Sequence, residues 1–221
     1  ITGKIDRIDL AKTENGNYIR IIDYKSSVKN IDLNEVVAGL QIQLLTYLDA
    51  TCNIEEMMPA GVLYYSLIDP ILKTDKKMDK EQIEEEMKKK FKMNGLILAD
   101  VNVIKMMDRT LEKGSSNLVP VYIDKDGNIS KSKSNAITKE QFEDLRKYTN
   151  NIIKQIAKEM LSGDIKIEPY YQKKNQKTPC DYCEYKEICN FKEGNCNNYR
   201  YIPNDKKEDI LRKIRNGEEE C

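Results

Sequence analysis

The sequence contains no histidine and no tryptophan, and its charges cancel. Its 221 residues include 37 Lys and Arg against 37 Asp and Glu, so the formal net charge is zero. Without histidine, the chain cannot carry a Ser-His-Asp triad, a Cys-His pair or a zinc site that needs imidazole. The balanced charge excludes a general polycation that coats nucleic acid, but it leaves room for a local basic groove. The hydrophobic fraction of 39% is enough to bury a core.

Long apolar runs are absent as well. No stretch of about 18 apolar residues occurs, which argues against a transmembrane helix. The first residues, ITGKIDRIDL, do not have the layout of a signal peptide. These features predict a cytoplasmic protein. The chain starts without methionine and inside a strand-like pattern, so we interpret it as part of a larger protein.

The patterns that are present predict an α/β domain. Strand-like runs over 3–11 and 18–26 flank Asn15-Gly16, a typical two-residue hairpin turn. The other predicted elements are, in chain order, a helix from an Asp32–Glu35 capping box to about residue 50, a strand over 60–68, an insertion over about 70–137 with a charged helix over 79–92, and a long helix over 138–161.

Two carboxylates and a lysine project from one face of the predicted hairpin. With the turn in this position, Asp6 lies opposite Lys25. Asp23 is on the same face, because side chains alternate with period two. Asp9 falls on the other face, opposite Ile22. A register slip of one residue would reverse these assignments.

Converging carboxylates suit a metal ion. Mg²⁺ prefers oxygen ligands of this kind, and such an ion activates water and stabilises the charge of phosphoryl transfer. A lysine beside the ion can orient or deprotonate that water. The alternative is a structural Asp–Lys pair on an exposed sheet, which a lone D-x-K string favours. Asp6 at the matching cross-strand position adds weight to the metal site.

Gln43 and Tyr47 are spaced i and i+4, so they share one helix face. A Gln amide and a Tyr hydroxyl can together hold a phosphate or a metal-bound water. Tyr47 also fits the apolar stripe of the same helix, and taken alone it is interpreted as a core residue.

Three of the six cysteines crowd into ten residues as Cys180-x2-Cys183-x5-Cys189. This spacing is typical of a soft metal site rather than of free core thiols, and by itself it does not separate zinc from an iron–sulfur cluster. Cys52 is predicted to be a small core residue. Cys196 is a candidate for a further ligand.

The segment before these cysteines combines tyrosines with lysines. Tyr170 and Tyr171 are followed by Lys173, Lys174 and Lys177. Aromatic and basic residues together can track single-stranded DNA by stacking and charge. An exposed linker is the alternative interpretation.

The strings GKIDRID, IDYKSS and GLQIQLLTYLDA resemble the RecB-type nuclease domain of the PD-(D/E)XK superfamily. The strings PAGVLYYSLIDPIL and PCDYCEYKEIC extend the resemblance over nearly the whole chain, to the nuclease subunits of AddAB-type helicase-nucleases. The resemblance implies a restriction-endonuclease-like mixed sheet flanked by helices, with a helical insertion and a C-terminal cysteine-rich cap. Residues 1–161 would form the nuclease domain, and 162–221 the iron–sulfur cysteine segment and tail.

The resemblance also implies roles for individual residues. Asp6 matches the first metal-binding aspartate, Asp23 the second, and Lys25 the catalytic lysine. Tyr24 would offer its backbone carbonyl as a further ligand of Mg²⁺ or Mn²⁺. Asp9, together with Arg7 on the opposite face, is interpreted as structural.

Further implications concern the remaining motifs. Gln43 and Tyr47 match the Q-x-x-x-Y motif of this nuclease branch. Cys180, Cys183 and Cys189 would bind a structural [4Fe–4S] cluster. The fourth cysteine of the family, and a helix that completes the active site, are expected upstream of Ile1. The isolated fragment is therefore expected to be a weak or inactive nuclease without an intact cluster.

The implied function is that of a Mg²⁺-dependent DNA exonuclease domain in an AddAB-type, ATP-dependent helicase-nuclease that acts in double-strand break repair and recombination. Its partners would be unwound or single-stranded DNA and the motor subunit AddA, because the chain itself has no Walker G-x-x-x-x-G-K-[ST] string. One alternative is a Cas4-like iron–sulfur nuclease, against which the PAGVLYYSLIDP string and the insertion argue. Another is an inactive, metal-stapled DNA-binding or docking module, against which the intact Asp6, Asp23 and Lys25 argue.

Overall fold

A computed structural model describes residues 2–14, 16–55, 57–72, 77–194 and 198–217. The strands are β1 (Arg7–Thr13), β2 (Gly16–Lys25), β3 (Met58–Ser66), β4 (Asn94–Leu98), β5 (Gly114–Ser115), β6 (Tyr122–Ile123), β7 (Ala136–Ile137), β8 (Tyr170–Tyr171) and β9 (Arg200–Tyr201). The helices are α1 (Leu33–Val37), α2 (Gln43–Glu55), α3 (Lys80–Lys90), α4 (Val101–Met107), α5 (Lys139–Leu161), α6 (Lys186–Cys189) and α7 (Lys207–Asn216), with a 3-10 turn over Pro179–Tyr182.

Five strands form a mixed sheet of order β1-β2-β3-β4-β7. The pairs β1–β2 and β3–β4 are antiparallel, whereas β2–β3 and β4–β7 are parallel. The segment over 70–137, predicted as an insertion, supplies β4 and β7 to this sheet. Two further pairs, β5–β6 and β8–β9, form small separate ladders. Of the described helices, none combines the length and apolarity that crossing a membrane requires.

The chain divides into two compact units. One comprises 1–31 and 42–147, and therefore contains the five-stranded sheet with α2, α3 and α4. The other comprises 32–41 and 148–221, and contains α1, α6 and α7. The long helix α5 begins in the first unit and continues into the second.

The centre of the sheet is buried on both faces. Consecutive residues of β2, Ile21 and Ile22, are both buried, and six successive residues of β3 are buried as well. Such unbroken burial is expected of strands that are covered on both sides. The apolar cluster that involves α4 consists of Ile22, Leu63, Ile97, Ile104, Leu111, Val119, Val121 and Ile123.

Helix α2 packs against β2 and β3. Its residues Leu44, Leu45 and Leu48 are fully buried, and each such side chain contributes about 1.5–3 kcal/mol of transfer free energy. The packing fixes the helix on the sheet. It therefore also fixes the starting points of Gln43 and Tyr47.

The helix predicted from residue 32 to about 50 is wrong as a single element. Helix α1 ends at Val37, and α2 begins at Gln43. Between them Gly39 has φ +78° and Gln41 has φ +49°. Left-handed residues interrupt the helical path, and only glycine adopts them at little cost.

Side chains hold this break in place. Asp32 caps α1 as predicted, accepting from the Asn34 N–H at 2.9 Å. The predicted capping box is replaced by other bonds, because the Asp32 N–H donates to Gln41 Oε1 at 3.2 Å. The Glu35 carboxylate instead accepts hydrogen bonds from the amides of Gln41 and Gln172.

The hairpin register differs from the predicted one by two residues. Asp9 lies opposite Arg20 rather than Ile22. Thr13 pairs with Gly16, and its Oγ1 donates to the Gly16 carbonyl at 2.8 Å, which moves the turn one residue toward the N-terminus. Asn15, the first residue of the predicted turn, lies outside the described residues. Because the shift is even, every side chain stays on its predicted face.

Candidate active site

Asp6 directly precedes β1, and β2 holds its carboxylate. The Tyr24 N–H donates to Asp6 Oδ2 at 3.0 Å. Extending the β1–β2 register by one residue from the Arg7–Ile22 pair places Asp6 opposite Asp23. Residues that oppose each other across an antiparallel pair share a face. The two predicted metal-binding aspartates therefore come from neighbouring segments on one face of the sheet.

Asp23 is a buried carboxylate that lacks a hydrogen-bond donor on one oxygen. Its exposed fraction is 6%. Oδ2 lies 2.6 Å from Lys25 Nζ, but the angles of this ion pair do not make a hydrogen bond, and none reaches Oδ2 from the described residues. Leaving such an atom unpaired costs about 1–3 kcal/mol, and more when it is charged. A cation bound at this oxygen would remove that cost.

Lys25 turns back along its own strand toward Asp23. Its ammonium also lies 5.7 Å from the centre of the Tyr64 ring. Tyr64 is the β3 partner of Asp23 in the parallel register and is 6% exposed. A cation within about 6 Å of an aromatic face is attracted to it. The ring and the carboxylate together hold the ammonium at the site.

Gln43 and Tyr47 form the pair that their spacing predicts. Gln43 Nε2 donates to Tyr47 Oη at 3.2 Å. Tyr47 is half-buried and Gln43 is exposed, whereas Leu44 and Leu48 of the same helix are fully buried. Tyr47 thus lies at the margin of the apolar stripe. Its ring rests on the backbone of Gly3, in the segment that leads to Asp6.

Asp9 forms the predicted pair with Arg7 on the other face of the sheet. Its carboxylate accepts from Arg7 Nε at 2.8 Å and from Arg20 Nε at 2.7 Å. Partial burial acts to raise the pKa of Asp9, but the bonds from the two guanidinium groups outweigh it and lower the pKa. Because each Asp9 oxygen has a cationic partner, Asp9 offers a metal ion little that is free.

The donor set at Asp6 and Asp23 fits a divalent cation. Mg²⁺ needs only one or two carboxylates, with waters and phosphate oxygens completing its octahedron. The described residues contain no group of three or more Cys, Asp or Glu side chains placed to hold a metal. Two carboxylates, one with an unpaired oxygen, and the backbone carbonyl of Tyr24 match the smaller requirement of Mg²⁺ or Mn²⁺.

The comparison with known families agrees with this geometry. Residues 1–190 match the model of the PD-(D/E)XK nuclease superfamily. The chain belongs to this superfamily. The predicted fold class, a mixed sheet flanked by helices, is thereby confirmed, whereas the cysteine-rich cap stays a prediction.

Relatives within this superfamily carry one name, that of the AddB subunit of an ATP-dependent helicase/deoxyribonuclease. The protein of Clostridium kluyveri is 45% identical over the whole chain, and that of Acetivibrio thermocellus is 42% identical, also over the whole chain. The Clostridium perfringens protein is 45% identical over 97% of the chain. The chain spans 19–20% of the length of these relatives.

The cysteine segment of this PD-(D/E)XK chain does not show a metal site. Cys180 is half-buried, whereas Cys183 and Cys189 are exposed. Within the described ranges the three thiols are not gathered into a metal-binding group. The arrangement therefore does not by itself fit a [4Fe–4S] cluster. Cys196 lies outside the described residues, and Cys52 is buried inside α2, where burial raises its thiol pKa.

The lysines predicted to contact DNA are exposed. Lys173 Nζ lies 4.5 Å from the centre of the Tyr201 ring, and Lys174 and Lys177 are exposed on the same segment. Tyr201 belongs to an aromatic cluster that also contains Tyr171, Tyr199 and Phe191. This cluster combines rings and positive charge at the surface of the second unit.

Two contributors to the site are not predicted by the sequence patterns. Tyr64 lies in a predicted strand, but no spacing rule links it to Lys25 across a parallel pair. Gly3 belongs to the G-x-I-D string, but its contact with Tyr47 joins parts of the chain far apart in sequence. The G-x-I-D string is the one signal that could have pointed to Gly3.

Proposed function

We propose that this chain is the metal-dependent nuclease domain of an AddB-type subunit and that it hydrolyses DNA phosphodiester bonds. The observation that carries the proposal is the buried, unpaired Oδ2 of Asp23, which lies beside Lys25 and opposite Asp6. A purely structural Asp–Lys pair would satisfy its oxygens, as Asp9 does with two arginines.

Each residue of the site has a chemical task in this proposal. Asp6, Asp23 and the Tyr24 carbonyl hold Mg²⁺ or Mn²⁺. When bound, such an ion supplies an acidified water and stabilises charge on the phosphoryl oxygens. The Tyr24 N–H orients the Asp6 carboxylate by its hydrogen bond. Lys25, positioned by Asp23 and Tyr64, orients the attacking water or takes up its proton.

Gln43 and Tyr47 bind the scissile phosphate or its attacking water. The amide of Gln43 already donates to Tyr47 Oη, which leaves one amide hydrogen and the phenolic hydrogen to donate to an oxygen. Donors that are fixed before substrate arrives stabilise developing charge without reorganisation. The buried leucines of α2 provide that fixation.

A separate surface in the second unit binds single-stranded DNA. Lys173, Lys174 and Lys177 supply charge to the backbone of the strand, and the exposed side of Tyr201 offers a ring on which a base can stack. Tyr201 is 47% exposed. Such contacts do not read sequence, which suits a nuclease that processes any broken end.

The names of the relatives support a particular cellular setting. They describe a subunit of an ATP-dependent helicase/deoxyribonuclease, so the proposed partner is an AddA-type motor subunit, with unwound DNA as substrate. We place the activity, as an exonuclease, in double-strand break repair and recombination in the cytoplasm. Relatives at 42–45% identity favour this setting over the Cas4-like alternative. The [4Fe–4S] cluster stays a prediction of the resemblance, and no part of the proposed chemistry passes through it.

The test uses the full-length protein that contains this chain, assembled with its helicase partner. Cleavage of an end-labelled duplex is measured with Mg²⁺, with EDTA, and for Asp23→Asn and Lys25→Ala. Both variants should cut at least about 100-fold more slowly while unwinding continues, because each lacks a group that acts on the reacting phosphate. Undiminished cleavage by Asp23→Asn would favour the inactive DNA-binding module instead.

A further inference from the structure

Gly3 lies directly against the ring of Tyr47. A Cβ atom at Gly3 would stand 2.7 Å from Tyr47 Cε1, 2.8 Å from Oη and 3.1 Å from Cζ. Carbon atoms in favourable contact are about 3.5–4.0 Å apart. No side chain therefore fits at Gly3 while the Tyr47 ring keeps its place.

The backbone of Gly3 does not explain the glycine. Positive φ angles occur at Gly16, Gly39 and other glycines, but not at Gly3. A glycine with ordinary backbone angles can be replaced without conformational strain. The space taken by Tyr47 is thus the requirement that the structure places on this position.

The contact joins two parts of the proposed active site. On one side, the Tyr47 hydroxyl receives the Gln43 amide at 3.2 Å, so the position of the ring sets the position of the amide. On the other, the chain reaches Asp6 three residues after Gly3, where the carboxylate is bound to the Tyr24 N–H. One short stretch of chain therefore touches α2 through Gly3 and β2 through Asp6.

We propose that Gly3 is a positioning residue, whose missing side chain lets Tyr47 lie against the backbone and aim the Gln43–Tyr47 pair at the site that Asp6 and Asp23 form. This inference rests on the proposed nuclease function. Gly3 touches neither metal nor DNA, and it acts through Tyr47. Any side chain at Gly3 displaces the ring and, with it, the amide of Gln43.

The test is a double-mutant cycle in the full-length protein with its helicase partner. Gly3→Ala should lower kcat for cleavage by about 10- to 100-fold, the scale expected for a displacement of about 1 Å, and leave the Kd for DNA unchanged. In a Tyr47→Ala background, which removes the ring, adding Gly3→Ala should change kcat by no more than about twofold. Lys4→Ala, an exposed neighbour, is the matched control and should behave as wild type.

Melting temperatures test the same contact without relying on activity. Gly3→Ala should lower the melting temperature in the wild-type background but not in the Tyr47→Ala background. Independent, additive effects of the two substitutions on kcat and on melting would overturn the role of Gly3. Asp23→Asn in the same assay separates the two proposals. If Asp23→Asn is inactive and Gly3→Ala cuts normally, only the Gly3 inference fails, whereas an active Asp23→Asn refutes the nuclease site itself.

Discussion

The Tyr24 N–H donates a hydrogen bond to the Asp6 carboxylate, 3.0 Å away. The bond ties the segment before β1 to the strand that carries Asp23 and Lys25. Asp6 is thereby oriented even though it lies outside the regular β1–β2 ladder, which begins at Arg7. The orientation of one aspartate thus depends on the backbone of the strand that supplies the other.

Asp6 and Asp9 should respond in opposite ways to the same substitution. Asp6→Asn removes a ligand charge and should lower cleavage by at least about 100-fold, since a metal supplies several kcal/mol of transition-state stabilisation. Asp9→Asn should retain most activity, because Asp9 binds Arg7 and Arg20 on the other face. Initial rates on labelled duplex DNA measure both. Equal losses would show that the faces of the hairpin are misassigned.

The sequence predicts the face of each of these aspartates but not their neighbours. Period-two alternation survives the even register shift, so Asp6 and Asp23 stay together although Asp9 pairs with Arg20 rather than Ile22. The long helix α5, Lys139–Leu161, lies where its pattern predicts. Local patterns of this kind depend on spacing alone.

The features that the sequence does not predict depend on contacts between distant residues. The break between α1 and α2 is held by bonds from Glu35 to Gln41 and Gln172, which apolar periodicity does not register. The unpaired oxygen of Asp23 and the Tyr64 ring over Lys25 arise only when β3 pairs with β2. Parallel pairing joins segments with no turn between them, so no short-range signal announces it.

Asp108 should stabilise the first unit in a pH-dependent way. It is 4% exposed and accepts from Ser116 Oγ at 2.7 Å and from Thr110 Oγ1 at 2.7 Å. Burial acts to raise its pKa, but these hydrogen bonds outweigh it and hold the pKa below its ordinary value. The ionised form therefore stabilises the fold above about pH 4, and this contribution is lost as pH falls through the lower folded-state pKa.

Asp108→Asn should lower the free energy of unfolding by about 1–3 kcal/mol at neutral pH. Urea denaturation at pH 7 and at pH 3 measures the effect, and the gap between wild type and variant should narrow at the lower pH. Asp126→Asn, on an exposed turn, is the control and should change little. A gap that stays constant with pH would mean that the Asp108 carboxylate is not the stabilising group.

Lys173 and Tyr201 should contribute to DNA binding in ways that salt can separate. Each phosphate contact on a single strand contributes about −0.7 to the slope of log K against log salt concentration. Lys173→Ala should reduce the slope by about that amount. Tyr201→Ala should weaken binding by about 1–3 kcal/mol, the range for stacking on an aromatic side chain, with the slope unchanged. Lys125→Ala, an exposed lysine of the first unit, is the control, and a matching change in that variant would indicate nonspecific charge.

Cysteine labelling should show whether the exposed thiols bind a metal in the full-length protein. Cys183 and Cys189 are exposed, whereas Cys52 is 4% exposed and its thiol pKa is raised by burial. The thiolate is the reactive form, and coordination to iron blocks it. If the resemblance to iron–sulfur nucleases holds, a maleimide should modify Cys183 and Cys189 only after iron is removed by a chelator. Cys52 should remain unmodified before and after, which makes it the internal control. Equal labelling of Cys183 and Cys189 in anaerobically purified and chelator-treated protein would exclude both residues as cluster ligands.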